Sequence, residues 1–163
     1  MTMKYSCIAL LLIAASACKK SKTADSEIVD QFVKDVKAER YRKITLPAFN
    51  ASHIEALMQH ASDGQIVSHY PRPPHSSYLG PPMEVGFVML YAIEAARLQI
   101  DWPSLFVRVF DEDDLERQVP LSEVLAYYKD WWAANKGKSA AELKMIDPLE
   151  GSGLTWQIYT TAE

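Results

Sequence analysis

The chain has 163 residues, of which 48% are hydrophobic and 23% are charged, and its formal net charge is −4. A chain of this length can bury a core large enough to fold without cross-links. The negative charge argues against a nucleic-acid-binding surface, for which a basic stripe is expected. Only two cysteines are present, too few for a disulfide framework.

The first predicted element is a secretory signal. Lys4 precedes an apolar run over residues 8–15, and small residues follow it. The run is shorter than the roughly 20 residues that span a bilayer. Cys18 comes directly after the small residues, so the segment resembles a bacterial lipoprotein signal. That resemblance implies removal of residues 1–17, Cys7 included, and attachment of lipid to Cys18.

Lipidation of Cys18 predicts a protein held in the cell envelope by its N-terminal lipid anchor, with the outer membrane as the expected location and the domain facing the periplasm or the cell surface. Stable anchoring takes more than one acyl chain, which one lipidated cysteine supplies without a transmembrane helix. The alternative is an ordinary cleavage site beside an incidental cysteine. Residues 18–25 then form the lipidated tether, and we interpret Lys19, Lys20 and Lys22 as a solvated spacer rather than a headgroup-binding cluster.

Residues 26–160 are expected to form one mainly α-helical domain of four to five helices, without internal repeats. Apolar residues at helical spacing predict a first helix over about 26–40. A second helix begins near residue 50, with either Asn50 or Ser52 as its cap. Gly64 is expected to end that helix.

The middle of the chain combines an irregular segment with the predicted central helix. Residues 65–82 are rich in proline, so we expect no regular element there. Residues 83–98 are apolar on nearly every side, which is typical of a helix buried by other elements. Glu94 and Arg97 lie three residues apart on it and are expected to pair. The alternative is a membrane span. The short length of residues 83–98 and the charge of Glu94 argue against that alternative.

A minor β-hairpin is one interpretation of residues 105–119. Residues 105–110 are rich in β-forming side chains and predict a strand that returns through residues 118–119, or else an irregular apolar segment on the core. The acidic run 111–116 lies between the two halves. Its oxygens suit calcium, but the run lacks the glycine and the distal glutamate of an EF-hand loop. We therefore interpret it as an exposed acidic turn.

Two further helices are predicted near the C-terminus. Residues 121–135 carry an apolar arc of about 120°. The arc places Trp131 and Trp132 in the core rather than on a sugar-binding surface, with Tyr127 at its edge. A capping-box pattern starts a short final helix over residues 140–146, and a turn-rich tail follows.

Four histidines raise the question of a zinc site. His53 and His60 are seven residues apart on one predicted helix, about 10 Å along its axis. Helical ligand pairs usually lie three or four residues apart. His69 and His75 lie in the proline-rich segment, and nothing requires them to complete such a site. We interpret His53 and His60 as solvated side chains flanking Leu57.

The expected contact surface lies in the proline-rich segment, because loops carry recognition more often than scaffolds do. The residues assigned to it are Arg72, His75, Ser76 and Ser77. We find no nucleophile elbow, phosphate loop or cofactor motif, so no catalytic residue, cofactor or bound metal is predicted. The leading hypothesis is a non-enzymatic module that binds a protein or an envelope component. The alternatives are an immunity or inhibitor protein acting through residues 111–116, and a metal-dependent hydrolase.

The C-terminal third carries a resemblance to a known class of protein. Its pattern consists of Tyr128, Trp131-Trp132, Asn135-Lys136-Gly137 and the run Ile-Asp-Pro-Leu-Glu-Gly-Ser-Gly-Leu-Thr-Trp over residues 146–156. This order is similar to one seen in small exported bacterial proteins of an uncharacterised family, whose shared domain has no known function. Residues 17–20 resemble lipoproteins of Bacteroidota in particular. The resemblance implies a lipoprotein without an assigned activity, and it transfers only the lipidation of Cys18.

Overall fold

Five α-helices, a 3₁₀ turn and two short antiparallel strand pairs make up residues 23–73 and 81–156, which this computed structural model describes. The helices are α1 (Ala24–Lys37), α2 (Ile54–His60), α3 (Val85–Leu98), α4 (Leu121–Asn135) and α5 (Ala140–Lys144). The strands are β1 (Ile66–Val67), β2 (Met83–Glu84), β3 (Phe110–Asp111) and β4 (Leu154–Thr155). The prediction of a single, mainly helical domain of four to five helices with a minor β-structure is confirmed.

The helix α3 is the centre of the domain. Every residue of it except Leu98 is buried, and it contacts each of the other four α-helices. Such burial on all sides follows from its sequence, because a helix that is apolar all round needs other elements to cover it. The prediction of a central helix is confirmed. It begins at Val85 rather than at residue 83, since Met83 and Glu84 pair with β1.

The first strand pair corrects the expectation for residues 65–82. Val67 pairs with Met83 and Ile66 with Glu84, so a regular element does exist within that segment. Val67 is buried whereas Ile66 is exposed. Burial of the Val67 side chain in the core and pairing of both residues with β2 stabilise this strand. The surrounding prolines hide it from the sequence pattern.

The second strand pair shows that the hairpin predicted over residues 105–119 is wrong. Phe110 pairs with Thr155 and Asp111 with Leu154, so β3 finds its partner near the C-terminus instead of at residues 118–119. Upstream of β3 the chain is irregular, and its buried Val107 and Val109 lie on the core. The alternative interpretation, an irregular apolar segment, is the correct one there.

Side-chain caps set the starts of the first two helical segments, and a residue with positive φ follows the end of α1. Thr23 caps α1 and accepts a hydrogen bond from the Ser26 amide, so the helix begins two residues earlier than predicted. Its end at Lys37 precedes Glu39, whose φ of 53° interrupts the helix. Asn50 is the cap of the second helical segment, which opens with the 3₁₀ turn Ala51–His53.

The role expected for Gly64 is wrong. The helix α2 stops at His60, four residues before this glycine. Gly64 does not adopt the positive φ of a helix-terminating glycine, a conformation found at Gly151 and Gly153 among the described glycines.

The C-terminal helices follow their predictions closely. The helix α4 has the predicted bounds, with Trp131 buried, Trp132 half-buried and Tyr127 exposed. Ser139 caps α5 in a reciprocal capping box with Glu142. The helix ends at Lys144, two residues earlier than predicted.

Candidate functional site

A groove of about 700 Å³ lies between the N-terminal ends of α3 and α4, and we call it the α3–α4 groove. One side comes from β1 and β2, and the other comes from residues 108–122. The apolar part of its lining includes Ile66, Met83, Phe87, Val109, Val119 and Leu121. Its volume falls within the range of about 300–1,000 Å³ typical of small-molecule sites.

Gly86 allows the elements around the groove to approach one another. A Cβ atom at this position would lie 2.5 Å from the Ala61 carbonyl oxygen and 2.5 Å from Cδ2 of Leu121. Any larger residue would therefore push α3 away from α2 and α4. The Gly86 amide also donates to the Asp63 carbonyl at 2.8 Å. Sequence reasoning missed this residue, although an isolated glycine in an apolar helix is a signal of close packing.

Arg117, in the groove wall, is neutralised by two carboxylates. Its guanidinium lies 2.8 Å from Oδ2 of Asp111 and 2.5 Å from Oε2 of Glu123. Hydrogen bonds to Glu123 and then Asp111 raise the pKa of Arg117. The pKa of Asp111 is lowered by the Asp113 amide and then by Arg117. This fork ties the acidic turn to the first turn of α4.

Arg108 is the groove's uncompensated cation. Its guanidinium stacks on the Phe110 ring with its carbon 4.1 Å from the ring centroid, and it donates to the Leu115 carbonyl at 3.4 Å. No carboxylate in residues 23–73 or 81–156 forms an ion pair with it. A cation–π contact holds the planar group in place while leaving donor hydrogens available.

Glu84 is the negative side chain of the lining. It is the residue directly before α3, at the N-cap position. The partial positive charge at a helix N-terminus favours a carboxylate there. Three charged side chains line the groove, Glu84, Arg108 and Arg117. Arg117 is held in two ion pairs, whereas Glu84 and Arg108 form none with the described residues.

Of the four residues predicted to form a contact surface in the proline-rich segment, the structure describes Arg72. The Arg72 guanidinium lies over the Tyr70 ring, 4.7 Å from its centroid. The Tyr70 hydroxyl donates to the carbonyl of Pro81 at 2.9 Å, and Pro81 lines the groove. Arg72 is thus linked to the groove lining through Tyr70 and Pro81, without being part of that lining. The other predicted site residues, which lie outside the described residues, are His75, Ser76, Ser77 and Cys18.

A second cavity, of about 290 Å³, has a buried ion pair in its wall. Nη2 of Arg97 lies 2.6 Å from Oε2 of Glu94, and both side chains are at most 5% exposed, so the predicted pairing is confirmed. Tyr128 donates to Oε1 of Glu94 at 2.6 Å and accepts from Nε1 of Trp156 at 2.7 Å. Arg97 also donates to the Lys144 carbonyl at 2.9 Å.

This buried network is closed and joins four elements. Burial raises the pKa of Glu94, while Arg97 and Tyr128 favour its charged form. Burial also raises the pKa of Tyr128. No buried side-chain nitrogen or oxygen of the described residues lacks a hydrogen-bond partner. We interpret the network as a structural link between α3, α4, α5 and the β4 segment.

The interpretation of both helical histidines as solvated is wrong for His53. Its side chain is buried, and Nδ1 accepts the Asn50 amide hydrogen bond at 3.2 Å. His60 is half-buried, with Nε2 2.9 Å from Oδ1 of Asp30. Within the part of the chain that the structure describes, no group of three His, Cys, Asp or Glu side chains is arranged to hold a metal ion.

The acidic run is a hydrogen-bonded turn, as expected. Oδ1 of Asp111 accepts the amides of Asp113 and Asp114 at 2.9 and 3.3 Å. Oδ1 of Asp114 accepts the Glu116 amide at 3.1 Å. The side chains after Asp111 up to Glu116 are exposed, so the interpretation as an exposed acidic turn is confirmed.

Comparison with known proteins places the chain in a family. Residues 23–157 match the family model described as "Domain of unknown function (DUF4943)", and the chain belongs to that family. No curated protein and no solved structure matches it. The resemblance to an uncharacterised family is thereby confirmed, whereas the link to lipoproteins of Bacteroidota stays a prediction. None of the helices described in residues 23–73 and 81–156 has the length and apolar character needed to cross a membrane.

Proposed function

We propose that this member of the DUF4943 family is a lipid-anchored cell-envelope protein that binds a ligand in the α3–α4 groove without catalysing a reaction. One observation carries the binding role: a mainly apolar groove of about 700 Å³ contains Arg108 without a carboxylate partner among the described residues. An apolar cavity with a few polar groups is the usual form of a ligand site.

The anchor is supported by the sequence around Cys18 and by the position of α1. The cysteine directly follows Ala-Ser-Ala, and the folded domain begins with the cap residue Thr23. The five residue steps between Cys18 and Thr23 reach at most about 18 Å when extended. A lipid at Cys18 would therefore hold the N-terminus of α1 close to the membrane surface.

The proline-rich segment extends the proposed contact surface. Arg72 connects to the rim of the groove through Tyr70 and Pro81. We propose that the neighbouring polar side chains of the segment contribute to the same surface, namely His75, Ser76 and Ser77.

The anchor is tested on the protein made in its native cells. The wild-type chain is expected in the membrane fraction, with a mature N-terminal peptide whose mass shows fatty acyl groups on Cys18. A Cys18→Ala variant is expected to lose both the acylation and the membrane association. A wild-type protein with an unmodified thiol at this position contradicts the anchor.

The groove is tested by filling it. Ser122 lines the groove and is exposed in the first turn of α4, so Ser122→Trp fills space without altering the core. Lys129→Trp, on the exposed side of the same helix, is the matched control. Native mass spectrometry of protein purified from its own envelope should show a bound ligand for the wild type and Lys129→Trp, and none for Ser122→Trp. Equal ligand in all three proteins contradicts a role for the groove.

A further inference from the structure

We infer that the α3–α4 groove selects amphiphiles with an apolar body and one carboxylate, of the fatty-acid class, and that Arg108 binds the carboxylate. This inference rests on the proposed function, because it names the ligand class of the groove proposed there. It adds the chemistry of the head group and the residue that recognises it.

The apolar body is inferred from the lining. Ile66 is 57% exposed at the groove, and Met83, Phe87 and Val119 line the same space. Covering apolar surface removes it from water, which favours the complex. A hydrocarbon chain makes this gain without requiring hydrogen bonds from the lining.

The negative charge of the head group is inferred from the difference between the two arginines that line the groove. The charge of Arg117 is compensated by its two carboxylates. Arg108 makes one weak bond to a carbonyl and one ring contact, which leaves most of its five donor hydrogens for a ligand. A guanidinium binds a carboxylate through two parallel hydrogen bonds. The stack on Phe110 holds the group in place before the ligand arrives.

A singly charged carboxylate fits the surroundings better than a doubly charged phosphate monoester does. Glu84 lines the same groove, and Asp111 and Glu123 adjoin it through Arg117. Because Asp111 and Glu123 are paired with Arg117, a doubly charged head group would meet the unpaired carboxylate of Glu84 with one available guanidinium, that of Arg108. Like charges at such a site disfavour binding, so the balance supports one negative charge on the ligand.

The experiment uses the lipidated protein in phosphatidylcholine nanodiscs and a decanoate that carries a terminal diazirine. Photolabelling is measured by intact mass, and the labelled peptide is mapped. We expect labelling at the groove, about tenfold stronger for decanoate than for the corresponding decanol probe. Arg108→Gln should lower decanoate labelling about tenfold and leave decanol labelling unchanged. Arg108→Lys, which keeps the charge, should lose less.

Controls distinguish a specific effect of Arg108 from a general loss of charge and from a loss of structure. They also distinguish failure of the inferred ligand class from failure of the proposed function. Arg42→Gln removes an exposed cation outside the groove lining and should change nothing. Thermal unfolding of each variant shows whether a loss of labelling reflects a loss of structure. Equal labelling of the wild type by decanoate and decanol overturns the assignment of Arg108, as does undiminished labelling of a folded Arg108→Gln. Absence of decanoate labelling overturns the ligand class. In each of these cases the proposed function still stands if native mass spectrometry shows that Ser122→Trp has lost the ligand that the wild type binds.

Discussion

The hydroxyl of Tyr128 lies 2.6 Å from Oε1 of Glu94 and donates a hydrogen bond to it across the α3–α4 interface. Both side chains are at most 3% exposed. The same hydroxyl accepts from Nε1 of Trp156 at 2.7 Å. One phenol therefore connects the central helix, α4 and the chain that follows β4, and it shares the buried carboxylate with Arg97.

Tyr128→Phe tests this link. The variant removes one oxygen and leaves the Glu94 carboxylate and the Trp156 indole without that partner, so we expect a loss of about 2–4 kcal/mol in the free energy of unfolding. Urea denaturation measures it. Tyr127→Phe, at the exposed neighbouring position on the same helix, is the control and should leave the urea midpoint unchanged. Equal midpoints for the two variants would rule out a stabilising role for the buried hydroxyl.

Removing one member of the ion pair should cost more than removing both. Arg97→Met leaves the Glu94 carboxylate buried without its counter-ion, and we expect about 3–5 kcal/mol of destabilisation. The double variant with Glu94→Gln carries no buried charge, so its loss should be smaller than that of Arg97→Met alone. A double-mutant cycle by urea unfolding makes the comparison. Additive losses would show that the two charges do not interact.

Gly86→Ala tests the close approach behind the groove. The new methyl group would meet the Ala61 carbonyl at 2.5 Å, and overpacking of this kind costs about 1–3 kcal/mol. Gly137→Ala is the control, because no atom lies within 4 Å of its added carbon. Thermal denaturation should show a lower midpoint for the first variant only. An unchanged midpoint for Gly86→Ala would mean that the three helices are less tightly packed than described.

Alkaline pH should unfold the protein through its buried tyrosines. Burial raises the pKa of Tyr91 and of Tyr128, whereas in the unfolded chain both ionise near pH 10. Above that pH the unfolded state binds fewer protons than the folded state, so stability falls as pH rises. The expected slope is about 1.4 kcal/mol per pH unit for each tyrosine until its folded pKa is reached.

Tyr91→Phe isolates the contribution of Tyr91 to the fall of stability above pH 10. Its hydroxyl donates to the Ser104 carbonyl at 2.6 Å, so the variant loses a constant amount of stability at every pH. The slope above pH 10 should become shallower by about 1.4 kcal/mol per pH unit. Urea unfolding at a series of pH values measures it, with Tyr127→Phe as the unchanged control. A slope identical to that of the wild type would contradict an un-ionised Tyr91 in the folded state.

Local patterns in the sequence were sufficient for most of the helices. The bounds of α4 and the capping box of Ser139 and Glu142 follow from side chains within a few residues of one another. The uniform apolar character of α3 likewise predicts its burial. The pairing of Glu94 with Arg97 needs only one turn of that helix. Each of these features depends on interactions that a short window of sequence contains.

Features that depend on distant partners could not be predicted in this way. The partner of Phe110 is Thr155, and nothing near residue 110 indicates it. Gly86 matters only because Ala61 and Leu121 converge on it. The difference between Arg108 and Arg117 is likewise invisible in a sequence that shows both as basic residues in one segment. Carboxylates from two other positions neutralise one and not the other.

The amino-acid sequence by itself determined the helical class and the central helix, because periodicity and caps act between neighbours along the chain. Only the tertiary structure decided where a groove opens and which of its charged side chains are held in ion pairs. A cavity forms where distant segments of the chain pack together. Electrostatic compensation depends on the distance in space between charges, which the spacing of residues along the chain does not fix.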